Sequence, residues 1–404
     1  MCSKPGKVPV GHQAVQGVAV AATRQSTGLL LQSLATGLLL LTPVAGLFAG
    51  VLPEDRADAL YHFYDGGGVQ IDGPSILVRK QVGQSVSFVG NYYVDTVSSA
   101  SIDVVTTASP YEEKRVETSI GMDYLRGDTL MSMTVGKSDE NDYTAQTVNL
   151  SIAQEVFSGL TTVSLGYGMG SDEVRRNGDA DFKDEVKRQN YRLGISQVIT
   201  RNMLLGLNME VITDEGFLNN PYRSVRYVDP GSGSGYSYQP EVYPRTRTSN
   251  AFSISGRYHL PYRAAVHGSY RYFTDDWNIS AHTAEIGYTH PVGPVMFDLQ
   301  YRYYTQSEAE FYSDLFPYQD AQNFLARDKE LSRFNSHAVR IGMSYNFLQG
   351  GLGFLDRGSV NLMYDRILFN YDNFRDLTAS APVGEEPLYS FTANVIQMFF
   401  SFWF

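Results

Sequence analysis

The sequence predicts an all-β chain closed into a transmembrane antiparallel β-barrel, read as 14 strands within a range of 12–16. Three observations carry this. Runs of alternating apolar and polar residues recur from residue 84 onward. The connections between them are tight on one side and mostly long on the other. The last run, NVIQMFFSFWF at 394–404, places Ile396, Met398, Phe400, Phe402 and Phe404 on one face, which suits lipid better than water.

Composition agrees. The 404 residues include 28 Tyr, 22 Phe and 37 Gly, which favour strands, tight turns and interfacial belts. A mean hydropathy of -0.23 excludes a multi-helix membrane protein but not a barrel, in which only alternate residues meet lipid. The sole cysteine, Cys2, precedes the apolar run at 27–50, so neither a disulfide nor a thiolate metal site is expected, and no cofactor is implied.

That run, TGLLLQSLATGLLLLTPVAGLFAG, follows Lys4, Lys7 and Arg24, and no acid occurs before Glu54. Residues 1–50 therefore read as a signal peptide, with an uncleaved anchor helix as the alternative. Losing those three bases takes the net charge from -11 to -14, which argues against nucleic acid and suits acidic outer loops. The expected location is the outer membrane of a Gram-negative bacterium. Residues 51–83 contain a triple glycine and an Asp-Gly that suit a hairpin or close backbone contact. SILVRKQV within them could be a further strand, but one more strand would break the parity. The segment is therefore assigned to the periplasm or the lumen, and the barrel to 84–404.

Strands are expected near 85–97, 114–125, 128–138, 143–157, 160–171, 188–199, 202–213, 248–259, 263–274, 278–290, 294–306, 334–347, 358–371 and 390–404. Val295, Phe297, Leu299, Tyr301 and Tyr303 show the alternation clearly, as do Val339, Ile341, Met343, Tyr345 and Phe347. Tight turns fall at 126–128, 157–160, 200–202, 260–263 and 290–294, with a longer one at 348–357. Long connections fall at 98–113, 172–187, 214–247, 307–333 and 372–389, and two short ones at 139–142 and 275–277. With 14 strands both ends lie on the tight-turn, periplasmic side.

Alternation projects His267, Arg271, Glu285, Asp298, Arg302, Tyr304, Arg340 and Asp365 into the lumen, where mixed charges would pair or bias the passage of solutes. Ser132, Thr134, Gly136, Ser164, Gly166, Gly168, Gly194 and Ser196 give a wall of small groups that could receive an inserted segment or a solute. In the outer loops Arg223, Arg226, Arg245 and Arg247, interleaved with Tyr227, Tyr238 and Tyr243, suit anions such as lipopolysaccharide phosphates. Pairing with Asp214, Glu215 and Glu241 would account for them equally. DADFKDE at 179–185 lacks the ligand spacing of an EF-hand and reads as a solvated acidic loop.

His282 and His337 project outward near the outer rim. A rim hydrolase built on His337 and Ser336 would need both on one face, and adjacent strand residues point to opposite faces. An enzyme is therefore not expected. Phe400, Phe402 and Phe404 resemble the C-terminal signal by which bacterial barrel-assembly machinery recognises its clients.

YHFYDGGGVQIDGPSILVRK (61–80), NYYVDTVSSASIDVVTTASPYEE (91–113), ITDEGFLNNPYRSVRY (212–227) and FYSDLFPYQDAQNFLARDKELS (311–332) resemble the bacterial family of domain of unknown function 3570. That resemblance implies an outer-membrane protein and supplies no catalytic residues. Its members tend to be encoded beside a small lipoprotein and a flavin-transferring enzyme, which implies a periplasmic redox context. Two functions are expected: a channel or transporter for small polar solutes, or a plugged barrel serving as scaffold for a periplasmic lipoprotein or redox partner. Outer-membrane lipid, lipopolysaccharide and the assembly machinery are the other partners implied.

Overall fold

The computed structural model describes residues 50–99, 111–348 and 350–404; the expected leader lies outside them except for Gly50. The first nine strands are β1 (Arg56–Gly66), β2 (Val69–Val82), β3 (Val86–Ser99), β4 (Tyr111–Arg126), β5 (Thr129–Asp139), β6 (Tyr143–Val156), β7 (Thr161–Arg176), β8 (Asp179–Thr200) and β9 (Met203–Gly216). Two short strands, β10 (Ser224–Val228) and β11 (Tyr236–Pro240), form a separate hairpin. The rest are β12 (Thr246–His259), β13 (Ala265–Asp275), β14 (Ser280–Val292), β15 (Val295–Gln306), β16 (Phe334–Phe347), β17 (Arg357–Arg375) and β18 (Leu388–Trp403).

Sixteen of these close one antiparallel barrel, each paired with its sequence neighbours and β1 with β18, from Arg56↔Trp403 to Gly66↔Ala393. Closure leaves no free edge, which is what allows strands to cross hydrocarbon. Outward positions carry an exposed apolar band that includes Ile120, Leu165, Ile286, Leu299 and Ile341. Ile396, Met398 and Phe400 belong to it, while Val395, Gln397 and Phe399 are buried on the inner face. This is the surface pattern of an outer-membrane barrel fold.

The count corrects the expectation of 14, and the two added strands are the segment assigned to the periplasm or lumen. β1 and β2 enter as a hairpin across Gly67 (φ 59°) and Gly68 (φ 78°), so the even parity survives. Their signal is blurred because apolar residues stand on both faces of β1. Outward Tyr61 and Phe63 alternate with inward Leu60 and Tyr64, and Tyr64 packs with Ile71, Val97, Ala338, Ile367, Ala393 and Val395. Gly73 and Pro74 also break strand chemistry in mid-strand. The β2–β3 ladder runs to Asp72↔Thr96 and resumes at Ser75↔Tyr93. At the gap a Cβ on Gly73 would lie 1.8 Å from the Val94 carbonyl oxygen. Gly73→Ala is expected to destabilise the barrel by about 2 kcal/mol. An unchanged denaturant midpoint would show that the close approach is not needed.

Residues 50–55 run along the tight-turn end of the barrel. The Gly50 N–H donates to Glu155 Oε1 (3.1 Å) beside the β6–β7 turn, while Asp55 pairs with Lys80 (2.6 Å) on β2. Leu52 is buried along the way.

At the other end, the expected long loop at 172–187 is an extension of β7 and β8 joined at Asn177-Gly178, a strong hairpin turn signal. Beyond the apolar band these strands have no lipid face, so their sequence turns polar and reads as loop; Lys183 pairs there with Glu173 at 2.8 Å. The three largest connections instead fold on one another. Phe316 exchanges backbone hydrogen bonds with Arg226 and Val228 (both 2.9 Å), and Val242 with Leu325 (3.0 and 2.7 Å). Tyr243, Trp277, Phe311 and Leu331 form a core beneath them. The outer end is a folded cap.

Candidate functional site

The lumen holds a cavity of about 860 Å³ in its outer half, and strand register shows how its lining is built. One inward row reads Arg257, His267, Gly287, Gln300, Arg340, Asp365, Val395, Tyr64 and Ile71 from β12 round to β2. The row above it reads Ser269, Glu285, Arg302, Ala338, Ile367 and Ala393. The next reads Arg271, Thr283, Tyr304, Ser336, Phe369 and Phe391. Each row is polar on β12–β15 and turns apolar by β17 or β18. The wall is therefore divided lengthwise, with charge on one side and aromatic or aliphatic groups on the other.

Seven of the eight residues projected into the lumen line this cavity: His267, Arg271, Glu285, Arg302, Tyr304, Arg340 and Asp365. Asp298 faces inward one row below, where its carboxylate accepts from Thr289 Oγ1 (2.8 Å). Arg340 pairs with Asp365 at 2.8 Å and Arg271 with Glu210 at 3.6 Å. His267 lies against Gly287, where a Cβ would come within 2.2 Å of its Nε2, so only glycine leaves the ring its place. Of the small-residue wall, only Gly194 and Ser196 reach the cavity.

Arg192 and Arg257 line the cavity too, and their parity alone was sufficient to find them. Phe334, Phe369, Tyr371 and Phe391 were not legible as lining, because an apolar inner face contradicts the alternation rule. Phe369 and Phe391 stack at 4.6 Å between centroids. Lys329 and Glu330, from the short 3-10 turn Lys329–Leu331 in the β15–β16 connection, complete the lining from the cap. Six bases face four acids around this cavity, although the whole chain has a net charge of -11.

The outer arginines have carboxylate partners within the chain. Arg226 is fully buried, with its Nη1 2.5 Å from Glu386 Oε1 and its Nη2 paired to Asp314. Arg223 pairs with Asp328, Arg247 with Asp275 (2.6 Å), and Arg245 with Asp184 (2.7 Å). Arg247 also stacks over Trp277, 4.5 Å from the ring centroid. Arg223 and Arg226 are buried, and burying a guanidinium requires a paired counter-charge, whereas Arg245 is largely exposed. Intrachain pairing, one of the two readings of these residues, is present, and the carboxylates of these pairs are other than Asp214, Glu215 and Glu241.

Residues 101–352 match the family model described as a protein of unknown function, DUF3570. The chain belongs to that family. No curated protein matches it. Among solved structures it is similar to the siderophore receptor PirA from Pseudomonas aeruginosa, at 11% identity and a TM-score of 0.40 over 86% of this chain and 63% of that one. It therefore spans less than two thirds of that receptor. It is also similar to a bacterial polysaccharide outer membrane secretin (6% identity, TM-score 0.47, 87% and 100% of the two chains). A third is OmpT, an outer membrane protein of Vibrio cholerae (10% identity, TM-score 0.41, 87% and 97%). These are likenesses of barrel architecture.

In this DUF3570 chain the outward histidines sit in tyrosine settings. His282 Nδ1 is 2.6 Å from Tyr270 Oη, and His337 Nδ1 is 2.7 Å from Tyr301 Oη. Ser336 is buried on the lumenal face, so it and His337 share no site.

Above the apolar band, at the outer rim, Glu113, Glu140 and Asp142 bring carboxylate oxygens within 4.8 Å of one another, which could hold a hard cation. Burial, then the Asp142 charge, pushes the Glu113 carboxyl up to about 8. Burial likewise raises Asp142 to about 6, against the Tyr222 hydrogen bond and the Arg175 charge. Both folded values exceed the unfolded ones, so the folded rim holds protons that the unfolded chain releases, and its stability falls as pH rises from about 4 to 8. Hydrogen exchange at 139–143 is expected to report easier opening at pH 8 than at pH 5, and Glu113→Gln to flatten the difference. Equal opening free energies at both pH values would exclude this.

Proposed function

We propose that the protein is a channel or transporter of the Gram-negative outer membrane that carries small polar solutes and favours anions. The cationic lining of the lumenal cavity supports this reading most directly, since fixed charge in a narrow path selects the ion that neutralises it. In this reading the apolar band meets lipid, the folded cap faces outward, and Phe400, Phe402 and Phe404 are offered to the assembly machinery. The scaffold alternative drew on a plug made from 54–80, and those residues are mostly barrel strands.

Planar-bilayer recording of the refolded barrel tests the proposal. Under a salt gradient the reversal potential is expected to favour chloride over potassium, and Arg302→Glu to lower that preference by about twofold or more. Absence of any conductance, or cation preference in the unaltered protein, would remove it.

A further inference from the structure

Two arginines in the cavity make no close ion pair, although the charges of Glu285 and Asp365 act on one of them, Arg302. Among the described residues, Arg257 and Arg302 make no side-chain hydrogen bond and have no carboxylate within 4.0 Å, although Glu285 is the register neighbour of Arg302. Their neighbours Arg340 and Arg271 are paired. A forked cation left unsatisfied in a partly desolvated wall gains from a bidentate acceptor, and a carboxylate matches that fork.

The second observation lies further round the same wall. In the ring β17 stands two strands from β15, which carries Arg302, and five from β12, which carries Arg257. The stacked Phe369–Phe391 pair and Tyr371 line the same cavity from the β17–β18 side. Water alone gains little from such a wall, and a small inorganic anion would leave it unused. A volume of about 860 Å³ lies within the range of small-molecule sites.

We infer that the cavity is a binding site for amphipathic monocarboxylates, whose carboxylate sits on Arg257 and Arg302 while an aromatic or branched apolar body packs on Phe369 and Phe391. This rests on the reading of the lumen as a solute path and names the solute class.

Calorimetric titration of the full barrel in lipid nanodiscs tests it, with 3-phenylpropionate, propionate and 3-phenyl-1-propanol as probes. 3-Phenylpropionate is expected to bind at least about tenfold more tightly than either of the other two, because each lacks one half of the match. Arg257→Gln with Arg302→Gln should lose about tenfold for the acid and little for the alcohol. Phe369→Ala should weaken both. Heat-modifiable migration of each variant controls for folding, and the double Lys variant, which keeps the charge but not the fork, should retain only part of the affinity for the acid. Equal affinity for 3-phenylpropionate and propionate, or unchanged acid binding in the folded double Gln variant, overturns the inference. Anion-selective conductance without such binding would sink it while leaving the channel reading standing; binding without conductance would do the reverse.

Discussion

A chain lacking Arg56–Val82 is expected to give no compact, heat-modifiable form on refolding into detergent or lipid. The deletion strips β18 of its ladder with β1 and β3 of its ladder with β2. Both new edges lie at the depth of the apolar band, where unpaired backbone groups have no water to bond; each costs several kcal/mol. Strand direction does not forbid β3 from pairing with β18 to make a smaller ring. The interior does. Asp95, almost fully buried, is 2.7 Å from His62 Nε2, and the Tyr93 ring stacks on His62 at 5.1 Å. Without β1, Asp95 loses its closest ion-pair partner and keeps Tyr93 and the more distant Arg115, 3.8 Å away. The apolar inner cluster loses Tyr64 and Ile71 as well. Removing only residues 50–55 should leave closure intact. A stable, heat-modifiable barrel from 84–404 would show that β1 and β2 are dispensable.

Arg226→Ala is expected to loosen the outer cap by about 3–5 kcal/mol while the barrel below stays folded. The Arg226 guanidinium bridges the β9–β12, β15–β16 and β17–β18 connections through Asp314 and Glu386. Asp314 would retain Arg327 at 2.9 Å, so the loss falls on Glu386, held otherwise by the Gly384 N–H (3.0 Å). Arg226→Lys should recover only part of it, because an ammonium cannot fork between two carboxylates. Limited trypsin digestion of the barrel in liposomes reads this directly, as faster cleavage within 217–245. Cleavage at the native rate would mean that the backbone pairing and apolar cores hold the cap unaided.

Legibility in the sequence followed the solvent on each face. Where lipid lies outside and polar groups inside, as on β15 with Phe297, Leu299 and Tyr301 alternating with Asp298, Gln300 and Arg302, strand and inward residues could both be read. The signal failed where that contrast disappears. On β1 the inner face adds Leu60 and Tyr64 to an apolar outer face, and on the upper parts of β7 and β8 the outer face turns polar. Arg223 and Arg226 show a second limit: spacing reveals a cluster of cations but not the distant carboxylates, Asp328 and Glu386, that fold back to meet them. The aromatic side of the cavity could not be read for the reason that hid β1, since both belong to the apolar arc of the inner wall.

The β1–β18 seam has a kinetic consequence. It joins Arg56 to Trp403, 347 residues apart, whereas the widest separation in any other strand pairing is 55, between Met203 and Tyr258. Fifteen of the sixteen pairings can thus form progressively as a local zipper, and one cannot begin until the chain is finished. Loop-closure entropy makes that last contact the slow one. Mutations that weaken the seam should therefore lengthen the lifetime of an open, edge-exposed sheet more than they lower the stability of the finished barrel.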